Sequence, residues 1–458
     1  MRAADPGSVA LGLSAGHESP PAKAAMRATV LASDVAIFFP AGLAAAAALG
    51  GGSQRLGGLW PAAAVLLTPA AILIAHAHCQ YNCISLGLAA AAAAAAGGVG
   101  RSARGGARVI ARLALATALF CLAVNHKQMA LYYAPALAGH VLGRCLQRPT
   151  VGGKVGAVAA CAIAAACTFA AAWAPWWMDG GTAGVLAVLE RLAPLRRWEG
   201  GEAWVEAAPG EPRRPPQTPP PPPRRGIFED YVANFWCTTH VLIKWKRLFS
   251  QAALARAALA LTALASLPAF AAGVARPSAS GLRHALAASA AAFYLFSYQV
   301  HEKSVLLPLL PVTLLADAEP LLAAVAPAVA AFSMWPLLAR DGVGAAYAGV
   351  MLVWGAVAWP ERAGRGVTAA AVAAGAVAAL LHAGAAFIPP PASLPWLWDA
   401  AITGACFPLM AGATAYLNWR LWRVPADGVV AAAPAGKRAA GARPPRRAAA
   451  GGRRPKRA

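Results

Sequence analysis

Apolar runs of roughly twenty residues recur from near residue 28 to near residue 416, separated by short polar or basic stretches. A run of that length matches the helix needed to cross a hydrocarbon core about 30 Å thick, and a lipid-facing helix satisfies its own backbone hydrogen bonds. Charged residues make up 13% of the chain and hydrophobic residues 59%. Ordinary soluble domains carry roughly 25% charge to cover their surfaces, so a soluble enzyme is excluded. The expected fold is an all-α polytopic membrane protein. Runs between charges place spans near 28–49, 59–75, 83–99, 109–124, 129–143, 155–174, 257–275, 284–300, 304–316, 320–339, 343–359, 367–387 and 396–416. That is about thirteen transmembrane helices, with 129–143 and 304–316 short.

Charge sets the expected orientation. From Arg420 to the C-terminus there are eleven Lys or Arg and one Asp, within a net charge of +22. No aromatic follows Trp422 to stack on bases, so nucleic-acid binding is not expected and the tail reads as cytosolic. An odd number of spans then puts Met1 in the lumen. The clusters Arg101, Arg104 and Arg108, then Arg144, Arg148 and Lys154, then Arg276 and Arg283 all fall in cytosolic loops. Lys244, Lys246 and Arg247 fall on the luminal side, and Val241 to Phe249 reads as an amphipathic segment lying in the interface. A fourteenth span near 232–243 is the alternative, and it inverts everything after it.

The resulting organisation is a luminal segment 1–27, a first transmembrane module 28–174, a luminal loop 175–256, a second module 257–419 and a basic tail 420–458. Residues 1–27 have no charged n-region with an apolar h-region. Either the first run acts as a reverse signal anchor or the sequence starts inside a longer protein. Within the luminal loop, 198–225 holds nine prolines and is expected to be extended polyproline or disordered chain. The eight cysteines form no CxxC pair and read as small packing residues.

With only 18 acidic residues, polar clusters beside the spans are the strongest functional signal. Four stand out, all luminal by parity. His76, His78, Gln80, Tyr81 and Asn82 suit hydrogen bonding to a hydroxyl-rich ligand; the histidines do not share a helical face and no carboxylate is near in sequence, so no metal is expected. Lys127 and Gln128 precede an aromatic pair, Tyr132 and Tyr133. Gly226 to Cys237 gathers Phe228, Glu229, Asp230, Tyr231, Asn234 and Trp236. Gln299 to Ser304 contains His301, Glu302 and Lys303, where the two cations suit a phosphate and Glu302 orients one of them. Cations for a phosphate and amides for a sugar, above an apolar bundle, fit an enzyme using a lipid-phosphate-linked sugar donor. A transporter or noncatalytic membrane protein is the competing class. It is weakened by the absence of internal repeats and the rarity of ionisable residues inside spans; Asp34 is the main one and reads as a helix-end or bundle contact.

The stretches HKQMALYYAP (126–135), RGIFEDYVANFWC (225–237), FSYQVHEKSVLLPLLP (296–311) and FSMWPLL (332–338) resemble the dolichyl-phosphate-glucose-dependent α-1,3-glucosyltransferases of the endoplasmic reticulum. MRATVLASD (26–34) and HAHCQYN (76–82) are also similar to them. The FED-x-VANFWC string looks like the branch that adds the first glucose to Man9GlcNAc2-PP-dolichol; the sister activity that adds the second glucose is the alternative. The resemblance implies a class C glycosyltransferase-like bundle with a luminal active site, no cofactor and no metal. It implies transfer from dolichyl-phosphate-glucose with inversion, for protein N-glycosylation. His301 and Lys303 would hold the donor phosphate. His76, His78, Gln80, Tyr81, Asn82, Lys127, Gln128, Glu229, Asp230 and Glu302 would line the donor or acceptor site.

Three departures from the family pattern follow. Its general base sits in an acidic luminal loop, usually Asp-Tyr-Glu, after an additional first span, so the base is expected upstream of Met1. The family commonly has Asp where this chain has Ala75. The insert 198–225 separates two stretches that are nearly adjacent in relatives.

Overall fold

The structure is a computed structural model that describes residue 5 and residues 19–50, 55–76, 80–98, 106–192 and 231–425. His78, Glu229, Asp230, the proline-rich stretch 198–225 and the tail beyond Pro425 lie outside the described residues. The described residues are helical, with no strand among them. In chain order the α-helices are α1 (Pro20–Ser33), α2 (Phe39–Leu49), α3 (Trp60–Leu66), α4 (Asn82–Gly97), α5 (Gly106–His126), α6 (Ala134–Leu146) and α7 (Val151–Leu192). They continue with α8 (Phe235–His240), α9 (Trp245–Leu248), α10 (Gln251–Ala275), α11 (Ala279–Phe296), α12 (Leu306–Thr313) and α13 (Pro320–Ser333). The last are α14 (Trp335–Arg340), α15 (Gly344–Ala358), α16 (Arg365–Phe387) and α17 (Leu397–Leu421).

Among the described residues, six helical stretches are long and apolar enough to cross a membrane: Pro20–Leu49, Gly106–His126, Val151–Leu186, Gln251–Ala275, Arg365–Phe387 and Leu397–Leu421. Asn82–Gly97, Pro320–Ser333 and Gly344–Ala358 are shorter apolar helices. The run expected at 155–174 is part of the much longer α7, which bends at Gly181, where φ is +54°.

Small side chains decide which helices are central. α4 is mostly alanine and glycine and is buried nearly all round. α11, with Ala285, Ala287, Ala288, Ala290 and Ala292, is buried likewise. Lipid tails are as apolar as leucine, so helices gain by close van der Waals approach, which alanine and glycine permit. α7 and α16 are the opposite case, apolar yet only 6% buried over their span windows, as helices facing lipid are.

The tightest crossing is between α6 and α10. Gly139 and Gly143 on α6 form a G-x-x-x-G step, and a Cβ on either would run into the backbone of Phe270, Gly273 or Val274 on α10. Gly143→Leu should therefore force the two helices apart at a cost of at least about 2 kcal/mol. A lowered apparent melting temperature in detergent is the expected readout. Gly152→Leu, where nothing lies within 4 Å of the added Cβ, serves as the control and should melt like the parent.

Two π-helical segments, Asp34–Phe38 and Ala71–His76, interrupt the first part of the bundle as described. The first has a local cause: Pro40 has no N–H to give to Ala36, and the turn ahead of it widens so that Phe39 donates to the Asp34 carbonyl. The widened turns matter because they set where Asp34 and His76 point.

Candidate active site

One end of the bundle collects three of the four polar clusters read from the sequence. α5 ends at His126, and Lys127 turns the chain into the 3₁₀ segment Gln128–Tyr133. The Lys127 ammonium donates to Asn82 Oδ1, and Asn82 Nδ2 donates to Gln80 Oε1 at 3.0 Å. Burial lowers the Lys127 ammonium below its ordinary value, and the nearby charge of Lys303 lowers it further. Lys303 is thus near enough for its charge to be felt at Lys127, although the two come from distant parts of the chain. Tyr81 sits at the edge of the group, its hydroxyl 2.7 Å from Thr29 Oγ1.

The loop carrying His301 and Lys303 is held from beneath. Tyr132 OH lies 3.4 Å from Ser297 Oγ, and Trp236 Nε1 donates to the Phe296 carbonyl at 2.8 Å. Gln299 adopts φ +60°, in the left-handed region that non-glycine residues rarely occupy, and reverses the chain. His301 then precedes a 3₁₀ turn, Glu302–Val305, that leads into α12. Such a strained position persists only where its surroundings fix it, and it is common beside binding sites. Glu302 is buried and lies 3.5 Å from Arg340 on α14, so its partner comes from the FSMWPLL region.

Below the loop runs an apolar cavity of about 140 Å³ between α11, α12, α13 and α17. It starts at Val305 and Pro308, beside Lys303, and passes Leu309, Val312 and Met410 to Leu417.

The VANFWC string serves as an anchor. Val232, Ala233, Asn234 and Trp236 are all buried, and Asn234 caps α8 by accepting from the Cys237 N–H at 2.8 Å. Glu229 and Asp230 immediately precede this anchored segment in sequence. Tyr133 OH donates to the Leu307 carbonyl at 2.6 Å in a buried setting. Tyr133→Phe should leave that carbonyl unsatisfied and lower stability by about 1–3 kcal/mol, read from a thermal melt in detergent.

Sequence reasoning took Asp34 as a helix-end or bundle contact without naming its partner, and it missed His382. Asp34, buried at 1% exposure, meets the side chain of His76, with Oδ2 to Nδ1 at 2.7 Å. His76 is therefore turned inward, between the Phe38 and Phe39 rings, rather than out toward Gln80. His382 on α16 lies among Phe332, Trp335 and Tyr347, with Tyr347 OH 3.1 Å from Nε2. A histidine within an Ala/Val run was the available signal.

The other end of α11, about 20 Å along its axis, holds a second polar network. Glu319 accepts from Arg420 Nε at 2.6 Å and Tyr416 OH at 2.6 Å, and its Oε1 lies 3.3 Å from His284 Nε2. Arg283 pairs with Asp317 at 2.5 Å and donates to the Leu314 carbonyl.

The family model described as the ALG6, ALG8 glycosyltransferase family matches residues 1–199 and 221–415. The chain belongs to this family. A curated relative from Arabidopsis thaliana, named probable dolichyl pyrophosphate Man9GlcNAc2 alpha-1,3-glucosyltransferase, is 43% identical over 74% of the chain and 56% of its own length. The Saccharomyces cerevisiae protein named dolichyl pyrophosphate Man9GlcNAc2 alpha-1,3-glucosyltransferase is 35% identical over 75% of the chain and 57% of its own length. A Gallus gallus protein of the same name is 33% identical, over 75% and 59% respectively. The chain thus spans somewhat more than half the length of these relatives.

Proposed function

We propose that this member of the ALG6, ALG8 family transfers glucose from dolichyl-phosphate-glucose to lipid-linked Man9GlcNAc2 in an α-1,3 linkage, in the endoplasmic reticulum membrane. The observation that carries the reading is the hydrogen-bonded chain Lys127–Asn82–Gln80 with Lys303 near enough for its charge to act on Lys127, and an apolar cavity that begins two residues after Lys303. Names of relatives supply the acceptor. The donor is inferred from chemistry: cations for a phosphate, amides for a sugar, and a greasy slot for an isoprenoid.

On this reading inversion proceeds by attack of a mannose hydroxyl on C1 of the β-linked glucose, with dolichyl phosphate leaving. Negative charge grows on the phosphate as the bond breaks. On this reading Lys303 and His301 offset it, with Lys127 adding an ammonium that donates to Asn82. Gln80, Asn82 and Gln128 are the sugar contacts, and Glu229 and Asp230 are expected from sequence to approach the same sugar. Glu302, held toward Arg340, fixes the turn that presents Lys303.

The apolar runs in the sequence suggest about thirteen crossings, against six long apolar helices among the described residues, and the basic loops favour the Lys303 end as luminal and the Glu319 end as cytosolic. Glycosylation-site tags introduced beside Gln80 and beside Lys303 should both be modified; tags modified on only one of the two loops would refute a shared luminal site. For the activity, the full chain is expressed in cells lacking the first-glucose step and lipid-linked glycans are profiled. Appearance of Glc1Man9GlcNAc2 is the expected result. Persistent unglucosylated Man9GlcNAc2 overturns the proposed transfer, and glucosylation only of acceptors that already carry one glucose overturns the first-glucose assignment.

A further inference from the structure

We propose that Asp34, His76 and Cys83 form a zinc site. The three come from separate elements: Asp34 opens the first π-helical segment, His76 closes the second, and Cys83 lies in the first turn of α4. One ligand atom from each, a carboxylate oxygen, an imidazole nitrogen and a thiol sulfur, lie within 4.8 Å of one another. Asp34 and Cys83 are fully enclosed, at 1% and 0% exposure.

The chemistry of the set selects the ion. Oxygen, nitrogen and sulfur donors together suit a borderline-soft divalent cation that accepts tetrahedral geometry, which is zinc rather than magnesium or calcium. A tetrahedral zinc needs donor separations of roughly 3.3–3.7 Å. The Asp34–His76 contact at 2.7 Å has to open by about an ångström or less, while the thiol closes in. Asp34 Oδ1 is buried and finds no hydrogen-bond partner of ordinary geometry among the described residues, and the Cys83 thiol interacts with the same carboxylate.

Charge balance points the same way. A carboxylate buried among apolar helices calls for a positive partner. Loading zinc displaces the thiol proton to water, and Zn²⁺ with one carboxylate and one thiolate sums to zero. The site would tie three segment ends together just below Gln80 and Asn82. Sequence spacing gave no hint of it, because the carboxylate comes 42 positions before His76.

The test needs no transfer activity and so is independent of the proposed function. The full chain, purified without a metal-binding tag and dialysed against zinc, should carry about one zinc per chain by elemental mass spectrometry. Asp34→Asn and Cys83→Ser should each lower that by at least about tenfold while eluting as monodisperse protein. Cobalt substituted into the parent should give a thiolate-to-cobalt charge-transfer band, lost in Cys83→Ser. Zinc below about a tenth of an equivalent in the parent, or full zinc retention in both variants, overturns the proposal. If neither variant folds, the cobalt spectrum of the parent decides: absence of the thiolate band refutes the site and its presence supports it.

Discussion

Lys303→Met is expected to lower the turnover number for glucosyl transfer by about a hundred- to a thousand-fold, with membrane yield and melting temperature unchanged. Lys303 lies on the 3₁₀ turn at the head of α12, in reach of the field of Lys127, and its backbone is fixed by Glu302 and by the reversal at Gln299. The side chain itself is not needed for packing, so its removal should be felt in the transition state, where the phosphate gains charge, more than in folding. Lys303→Arg, which keeps the charge, should recover part of the loss. Steady-state rates in microsomes with saturating donor and acceptor measure this; turnover within about threefold of the parent would remove Lys303 from the phosphate.

Glu319→Ala should destabilise the fold by about 3–5 kcal/mol, because it leaves Arg420 and His284 without their shared carboxylate. The titration of Glu319 points the same way. Burial raises a carboxyl, but hydrogen bonds from His284, Tyr416 and Arg420, with the charge of Arg420, outweigh it and hold the group at about 2. The folded value thus lies below the ordinary 4.5, so the ionised carboxylate favours the fold. Since the folded value is the lower one, the contribution is complete above about pH 4.5 and is lost as pH falls through about 2. Thermal melts in detergent at neutral pH should show a clear drop for Glu319→Ala, and a double-mutant cycle with Arg420→Met should show coupling above about 1 kcal/mol. Melting within about two degrees of the parent would mean the network carries little stability.

The long helices were legible from composition because a bilayer dictates their length. The runs read at 109–124, 257–275, 367–387 and 396–416 correspond to α5, α10, α16 and α17. Short runs were harder. The one at 129–143 divides into a 3₁₀ turn and α6, and the one at 304–316 contains only the eight residues of α12 with irregular turns around it. Apolarity records burial but not the kind of turn, so these breaks left no periodic trace. For the site, the polar residues beside spans were visible because charge and amide groups are expensive there. Their partners were not: nothing local ties Asn82 to Lys127, Glu302 to Arg340, or Asp34 to His76. His76 was read as a ligand contact because its carboxylate lies on a different helix, and a single sequence does not show which helices touch.

Glu302 and Glu319 bracket α12, one meeting Arg340 and the other Arg420, and both carboxylates are buried. The stretch between them acts as a tie rod pinned at each tip. Sliding it by one residue would pull both acids off their arginines together, so a register slip is penalised twice. Lys303, one residue in from the upper pin, is therefore set at a fixed height along the bundle.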